Sequence, residues 1–172
     1  MPDLISHALT GFLARPEAGR RSILLTVAGT ALPDLAGRAP ELAAATFFPA
    51  WRFSTPDWVF DGTAIFHTLL PLALLCWVLS FAAPTPPARR QVFTCLLLGG
   101  WLHLGFDYLQ RHLFYDYHPL YPLSYMGWEA EFFWTEDSLY YVLPPLAVLS
   151  LAAWLYRRRS PGRGNMSRKR LG

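Results

Sequence analysis

Residues 91–110 read QVFTCLLLGGWLHLGFDYLQ, a run long and apolar enough to cross a lipid bilayer. It carries two ionisable side chains near its end, and such groups in a hydrocarbon-length segment normally mark a functional site. His103 and Asp107 are four residues apart, so on a helix they lie one turn apart on the same face. An imidazole and a carboxylate in that arrangement can share a metal ion.

The composition predicts a membrane protein of single-domain size. The 172 residues are 53% hydrophobic and only 16% charged, whereas ordinary soluble domains are about 25% charged. The net charge of +3 does not indicate nucleic-acid binding, because the basic residues lie in short loops and at the C-terminus. Cys76 and Cys95 fall in apolar runs without metal-ligand spacing, so we expect buried, inert thiols.

Three apolar segments predict clear transmembrane helices, since a span needs about 20 residues. Their ranges are 63–83, 91–110 and 139–156. The weaker segments 3–14 and 22–32 predict either an N-terminal helical pair or one crossing broken at Pro33. The sequence therefore predicts an all-α integral membrane protein, with one helical-bundle domain over residues 1–158 and a basic, disordered cytoplasmic tail over 159–172.

The distribution of basic residues predicts the orientation in the membrane. All but three of the 15 Lys and Arg residues fall on one side of this topology, the exceptions being Arg38, Arg52 and Arg111. Because cytoplasmic loops carry an excess of Lys and Arg, that side is expected to be cytoplasmic. We therefore expect a protein of the inner membrane with a cytoplasmic C-terminus.

Three further ionisable residues are expected to reach the level of the His103 and Asp107 pair. Counting about 1.5 Å per helical residue from the ends of the segments places His7, Asp34 and His67 at similar depth, in the outer half of the membrane. Imidazole and carboxylate ligands without a thiolate suit Zn²⁺, Mn²⁺ or Fe²⁺. The sequence therefore predicts a divalent-metal site made of these five residues, with zinc as the first choice.

Each candidate ligand also has a simpler interpretation. His67 could donate a hydrogen bond to a neighbouring carbonyl, and His7 could lie at the membrane interface. Asp34, in a Leu-Pro-Asp-Leu turn, could cap a helix. Asp107 could be solvated or paired with Arg111. The metal hypothesis is preferred because these separate explanations would have to recur independently at each position.

The outer loops supply candidates for catalysis. Glu136 and Asp137 could provide a general base or cap the last helix. His112 and His118 could bind a second metal, donate protons, contact substrate or simply be solvated. Arg111 or His112 could stabilise substrate charge.

Five short motifs carry a family resemblance. They are MPDLISHALTG at 1–11, LPDLAG at 32–37, FHTLL at 66–70, HLGFD at 103–107 and YPLS at 121–124. In order and spacing they resemble the YdjM-like (DUF457) family of membrane-bound metal-dependent hydrolases, over residues 1–125. The resemblance implies a membrane-embedded metal site with hydrolytic activity.

A more distant similarity is to the zinc-dependent phospholipase C and P1 nuclease superfamily. It implies that Asp34, His67, His103 and Asp107 hold one metal ion, and that His7 with Asp107 holds another. The chain departs from that pattern, because no second acid follows the Pro-Asp turn and no downstream HxxxE set is present. The resemblance therefore implies one or two ions rather than three.

These expectations favour a metal-dependent hydrolase that acts on a phosphoester of a lipid or lipid-linked molecule at the outer membrane interface. The substrate class comes from the resemblance alone. The main alternative is a non-catalytic protein that binds or transports a metal, because intramembrane His and Asp residues also line ion routes. A structural membrane protein without a metal is the third possibility.

Overall fold

The computed structural model describes residues 4–16, 18–48, 64–111, 118–134 and 137–159, which are mainly helical. The α-helices are α1 (Leu4–Leu13), α2 (Arg20–Phe47), α3 (Leu69–Ser80), α4 (Pro86–Tyr108) and α5 (Leu143–Arg159). A 3₁₀ turn (Ile65–His67) precedes α3, and a π-helical turn (Ser138–Val142) precedes α5. Two short strands, β1 (Gln110–Arg111) and β2 (Phe133–Trp134), pair in parallel.

The expectation of three transmembrane helices is wrong. Within the described ranges, one helical segment is long and apolar enough to cross a membrane, and it is Ser138–Arg159. Most of its surface is exposed, as a segment in contact with lipid would be. The other two predicted spans, 63–83 and 91–110, do not form helices of that kind.

A proline explains why 63–83 is not one helix. Pro71 lacks an N–H and its ring would clash with the carbonyl four residues earlier, so the first helical turn is its most favourable position. The helix accordingly begins at Leu69, after Thr68 in an extended conformation (φ −124°, ψ 153°). The remaining 12 residues reach about 18 Å, against the roughly 30 Å of a bilayer core.

Segment 91–110 differs for another reason. It lies almost wholly within α4, whose 23 residues would be long enough to span. The polar side chains of Gln91, His103 and Asp107 dilute the apolar character of the helix below that of a clear span. At the N-terminus, α1 and α2 form a helical pair, and α2 runs without interruption through Pro33.

The helices run so that basic residues collect at one end of the molecule and the candidate metal ligands lie away from that end. α2 and α4 run parallel, and the Gln91 amide donates to Ser22 Oγ at 2.9 Å where both begin. Arg157, near the end of α5, donates to the Pro16 carbonyl at 3.1 Å in the loop between α1 and α2. Arginines therefore gather at this end, and α2 and α4 lead away from it towards Asp34, His103 and Asp107.

Compared with a soluble domain, this protein buries many polar residues and exposes many large apolar ones. The apolar core is small and lies between α3 and α4, with Leu72, Cys76, Leu96, Leu104 and Tyr108. Buried polar and charged residues are Ser6, His7, Thr26, Thr30, Asp34, Thr68, Ser80, His103, Asp107, Gln110, Ser138 and Ser150. Many large apolar side chains on α3 and α5 are instead exposed. Extensive exposed apolar surface marks membrane or protein contact, so together with the candidate span it favours membrane association.

Candidate metal centre

Two glycines bring the helices that carry the site into backbone contact. A Cβ added to Gly99 of α4 would lie 2.1 Å from the Thr26 carbonyl oxygen and 2.8 Å from the Cα of Gly29. One added to Gly29 would lie 2.4 Å from the Leu96 carbonyl oxygen. No side chain fits at either position, and small residues are what permit helices to approach this closely.

This close approach positions His103, which comes one turn after Gly99. Its fully buried ring places Nδ1 2.7 Å from the Thr30 carbonyl oxygen of α2. A carbonyl only accepts, so in the neutral ring Nδ1 carries the proton and Nε2 keeps its lone pair. That Nε2 lies 3.1 Å from Asp107 Oδ2. Metal-binding histidines are commonly oriented by such a bond from the other ring nitrogen.

α1 adds His7 to the pair. The His7 ring stacks on His103 with centroids 4.0 Å apart, and its Nε2 lies 3.4 Å from Asp107 Oδ1. α1 is held against α2 because a Cβ on Gly11 would lie 2.8 Å from the Thr30 methyl carbon. His7, His103 and Asp107 each offer a ligand atom, and these atoms lie within 4.8 Å of one another.

Asp34 and His67 complete the cluster from α2 and from the turn before α3. Asp34 Oδ1 lies 3.5 Å from His67 Nε2. With His103 they form a second group whose ligand atoms lie within 4.8 Å of one another. The structure thus brings together all five residues that the sequence nominated. Metal binding by them stays a prediction.

The spacing of these atoms fits a divalent cation. Bonds from zinc to nitrogen and oxygen are about 2.0–2.2 Å long, so two ligands of one tetrahedral ion are roughly 3.3–3.6 Å apart. The His7–Asp107 and His67–Asp34 separations of 3.4 and 3.5 Å fall in this range, and the His103–Asp107 separation of 3.1 Å is slightly shorter. Within the described part of the chain, Nδ1 of His7, Oδ2 of Asp34 and Nε2 of His103 are buried without a hydrogen bond.

The nearby threonines show the contrast. Thr26 donates to the Ser22 carbonyl at 2.9 Å, and Thr30 donates to the Val27 carbonyl at 2.7 Å. These buried hydroxyls are satisfied inside their own helix, as buried polar groups usually are. By contrast, Nδ1 of His7, Oδ2 of Asp34 and Nε2 of His103 have no hydrogen bond to any described residue, so each of these atoms could accept an additional partner.

The charges of the cluster also favour a cation. The buried Asp107 carboxylate faces the rings of His7 and His103, and Asp34 faces His67. Burying a carboxylate is costly unless positive charge lies beside it. A divalent ion could supply that charge in place of protons on the histidines.

The two overlapping groups can be occupied in more than one way. Both include His103, whose single available nitrogen is Nε2, so this ring can bind only one ion. Asp107 differs, because Oδ1 faces His7 and Oδ2 faces His103. The arrangement is therefore compatible with one ion, or with two ions on either side of the Asp107 carboxylate.

The predicted catalytic residues do not join this cluster as far as the chain is described. His112 and Glu136 lie outside the described residues. Asp137 lines a separate surface cleft of about 440 Å³ with Arg111 and Trp134, and Arg111 lies 3.5 Å from Glu131 and 4.5 Å from the Trp134 ring centre. Among described residues, neither Asp137 nor half-buried His118 belongs to the His/Asp groups.

One polar residue near the cluster was missed. Gln110 is fully buried, and neither its amide nitrogen nor its amide oxygen has a hydrogen bond. It follows His103 by seven residues and Asp107 by three, and it begins β1 just after the end of α4. Its closeness in sequence to the HxxxD pair was visible beforehand, whereas its burial was not. The Thr30 carbonyl was not visible either, because backbone acceptors leave no signature in the residue type.

The fold and the cluster together define a helical protein with buried His and Asp groups that could hold a metal ion. No family model, no curated protein and no solved structure matches the chain. An activity therefore has to be argued from the residues of this chain.

Proposed function

We propose that the chain is a membrane-associated, metal-dependent hydrolase. The observation that carries this proposal is the buried His/Asp cluster, with ligand atoms at metal-ligand spacing. His7, Asp34, His67, His103 and Asp107 would hold one or two ions, zinc first and manganese or iron as alternatives. Such an ion lowers the pKa of its bound water and polarises a phosphoryl or acyl oxygen.

The proposed substrate is a phosphoester of a lipid or a lipid-linked molecule. Support comes from the exposed apolar surface, on which an amphiphile can keep its tails while its head group reaches the cluster. The motif resemblance to membrane-bound metal-dependent hydrolases points to the same chemistry. Of the chain's own residues, the five ligands would fix the reaction centre, and the Thr30 carbonyl would orient His103.

The proposed location is the inner membrane, with the C-terminus in the cytoplasm and the cluster in the outer half. The arginines at the end of the molecule away from the cluster support this orientation. The described ones are Arg15, Arg20, Arg21, Arg89, Arg90, Arg157, Arg158 and Arg159. In this orientation α5 ends at the cytoplasmic surface.

Leu149→Arg is expected to release the protein from membranes. Leu149 lies at the middle of the candidate span and is exposed, so the substitution places a charge in lipid at about 2.5–3.5 kcal/mol. Alkaline extraction of membranes, followed by blotting of pellet and supernatant, measures the effect. Leu123→Arg, at an exposed leucine outside this helix, is the matched control and should leave the protein in the pellet. Equal retention of both variants would contradict insertion of this segment.

The hydrolytic proposal predicts activity that depends on a removable metal. Zinc-loaded, detergent-purified protein should release product from a panel of phospholipids or isoprenoid phosphates, and a chelator should abolish the release. His103→Ala should be inactive, whereas His118→Ala, outside the cluster, should remain active. Activity unaffected by the chelator would refute the mechanism. Bound metal without hydrolysis across the panel would favour the alternative of a metal-binding or metal-transporting protein.

A further inference from the structure

Gln110 lies just after the end of α4, three residues beyond the proposed ligand Asp107. His103, Asp107 and Gln110 follow one another at intervals of four and three residues. Leu109 keeps helical backbone angles (φ −78°, ψ −16°), so the turn carries on as far as Gln110. Gln110 is itself the first residue of β1. Its backbone therefore follows Asp107 by about one turn, and its side chain is buried, as those of His103 and Asp107 are.

The segment that leads into β2 packs against this end of α4 and buries it. The Ala130 N–H donates to the Tyr108 carbonyl at 2.8 Å, and the Phe132 N–H donates to the Leu109 carbonyl at 3.0 Å. Gln110 then pairs with Phe133 between β1 and β2. Its side chain has no solvent exposure, whereas the next residue, Arg111, is exposed. The backbone of Gln110 therefore pairs with β2, and its side chain is buried inside the protein.

The buried amide is unusual because both of its polar atoms lack a hydrogen bond. Burying a polar group without a partner is destabilising, and native structures keep few such groups. An apolar side chain of similar size would fill the same space without that cost. An unsatisfied buried amide three residues beyond a proposed metal ligand is consistent with a partner that arrives with the substrate.

We infer that Gln110 binds the phosphoryl group of the substrate, its Nε2 donating a hydrogen bond to a non-bridging oxygen. This inference rests on the proposed function. A donor in a water-excluded site contributes most where negative charge collects, as it does on a phosphoester at a metal centre. Gln110 thereby selects substrates with an oxyanion and leaves metal binding to the His and Asp residues.

Gln110→Met gives a test that separates binding from structure. The full chain is loaded with zinc in detergent and titrated with inorganic phosphate by calorimetry, while zinc content and Tm are measured in parallel. Loss of a hydrogen bond to a charged group should weaken phosphate binding at least about tenfold. Zinc content should be unchanged, and the Tm of the ligand-free variant should equal or exceed that of the wild type, because an unsatisfied buried amide is removed.

Gln110→Glu is the second variant, since it keeps the shape but replaces the donor with a carboxylate that repels phosphate. It should weaken phosphate binding more than Gln110→Met does. Unchanged phosphate affinity in both variants would overturn the inference, and so would a lower Tm of Gln110→Met, which would make the amide structural. Failure of the proposed function has a different signature: zinc-loaded wild-type protein would itself bind no phosphate, and the assignment to Gln110 would fall with it.

Discussion

Asp107→Asn is expected to reduce zinc affinity at least about 100-fold, because even second-shell changes at metal sites cost 10–100-fold. The substitution keeps the size of the side chain but removes its charge. The two Asp107 oxygens lie 3.4 Å from His7 and 3.1 Å from His103, so no other carboxylate of the described cluster contacts both rings. Competition of the detergent-purified protein with a chromophoric chelator measures the affinity.

Glu131→Gln is the matched control for this loss. It is also an isosteric removal of one carboxylate, but Glu131 is 56% exposed and pairs with Arg111 outside the cluster. Its zinc affinity should equal that of the wild type. Wild-type zinc affinity in Asp107→Asn would show that the ligands are misassigned. An equal loss of zinc affinity in both variants would show that the effect comes from the net charge of the protein and not from loss of a ligand.

Gly99→Ala is expected to lower the free energy of unfolding by about 1–3 kcal/mol, the usual effect of overpacking. The added Cβ would lie 2.1 Å from the Thr26 carbonyl oxygen, which is backbone and cannot rotate away. α4 must move from α2, and the bond between His103 and the Thr30 carbonyl lengthens with it. Denaturant unfolding in detergent gives the stability, and zinc affinity should fall in the same variant.

Gly105→Ala provides the control on the same helix. A Cβ at Gly105 meets nothing within 4 Å, and alanine favours a helix over glycine by about 0.5–1 kcal/mol. This variant should therefore be as stable as the wild type or slightly more so, with unchanged zinc affinity. Equal destabilisation by both alanines would show that the helix crossing at Gly29 and Gly99 does not hold the site together.

The grouping of the five candidate ligands could be predicted because its determinants lie in the sequence. The residue types are those that bind divalent metals, and the spacing of His103 and Asp107 places them on one face. Counting residues from the segment ends put His7, Asp34 and His67 at the same level, and in the structure each of them belongs to a group with His103 whose ligand atoms lie within 4.8 Å of one another. Their role as ligands remains a prediction.

The membrane spans were harder to predict because average hydropathy is insensitive to single backbone constraints. Pro71 shortens one predicted helix to Leu69–Ser80, although every neighbouring residue is apolar. The close crossing at Gly99 and the acceptor at Thr30 depend on tertiary packing, which no local pattern encodes. Gln110 went unnoticed because an amide has no metal chemistry of its own, and only its burial makes it conspicuous.

Metal content is the most direct test of the central claim. Protein purified gently in detergent, without chelators, is analysed by plasma mass spectrometry beside an Asp107→Asn preparation. One or two equivalents of zinc, manganese or iron per wild-type chain, and almost none in the variant, are the predicted result. Wild-type protein that neither carries a transition metal nor takes one up from added zinc would contradict the account.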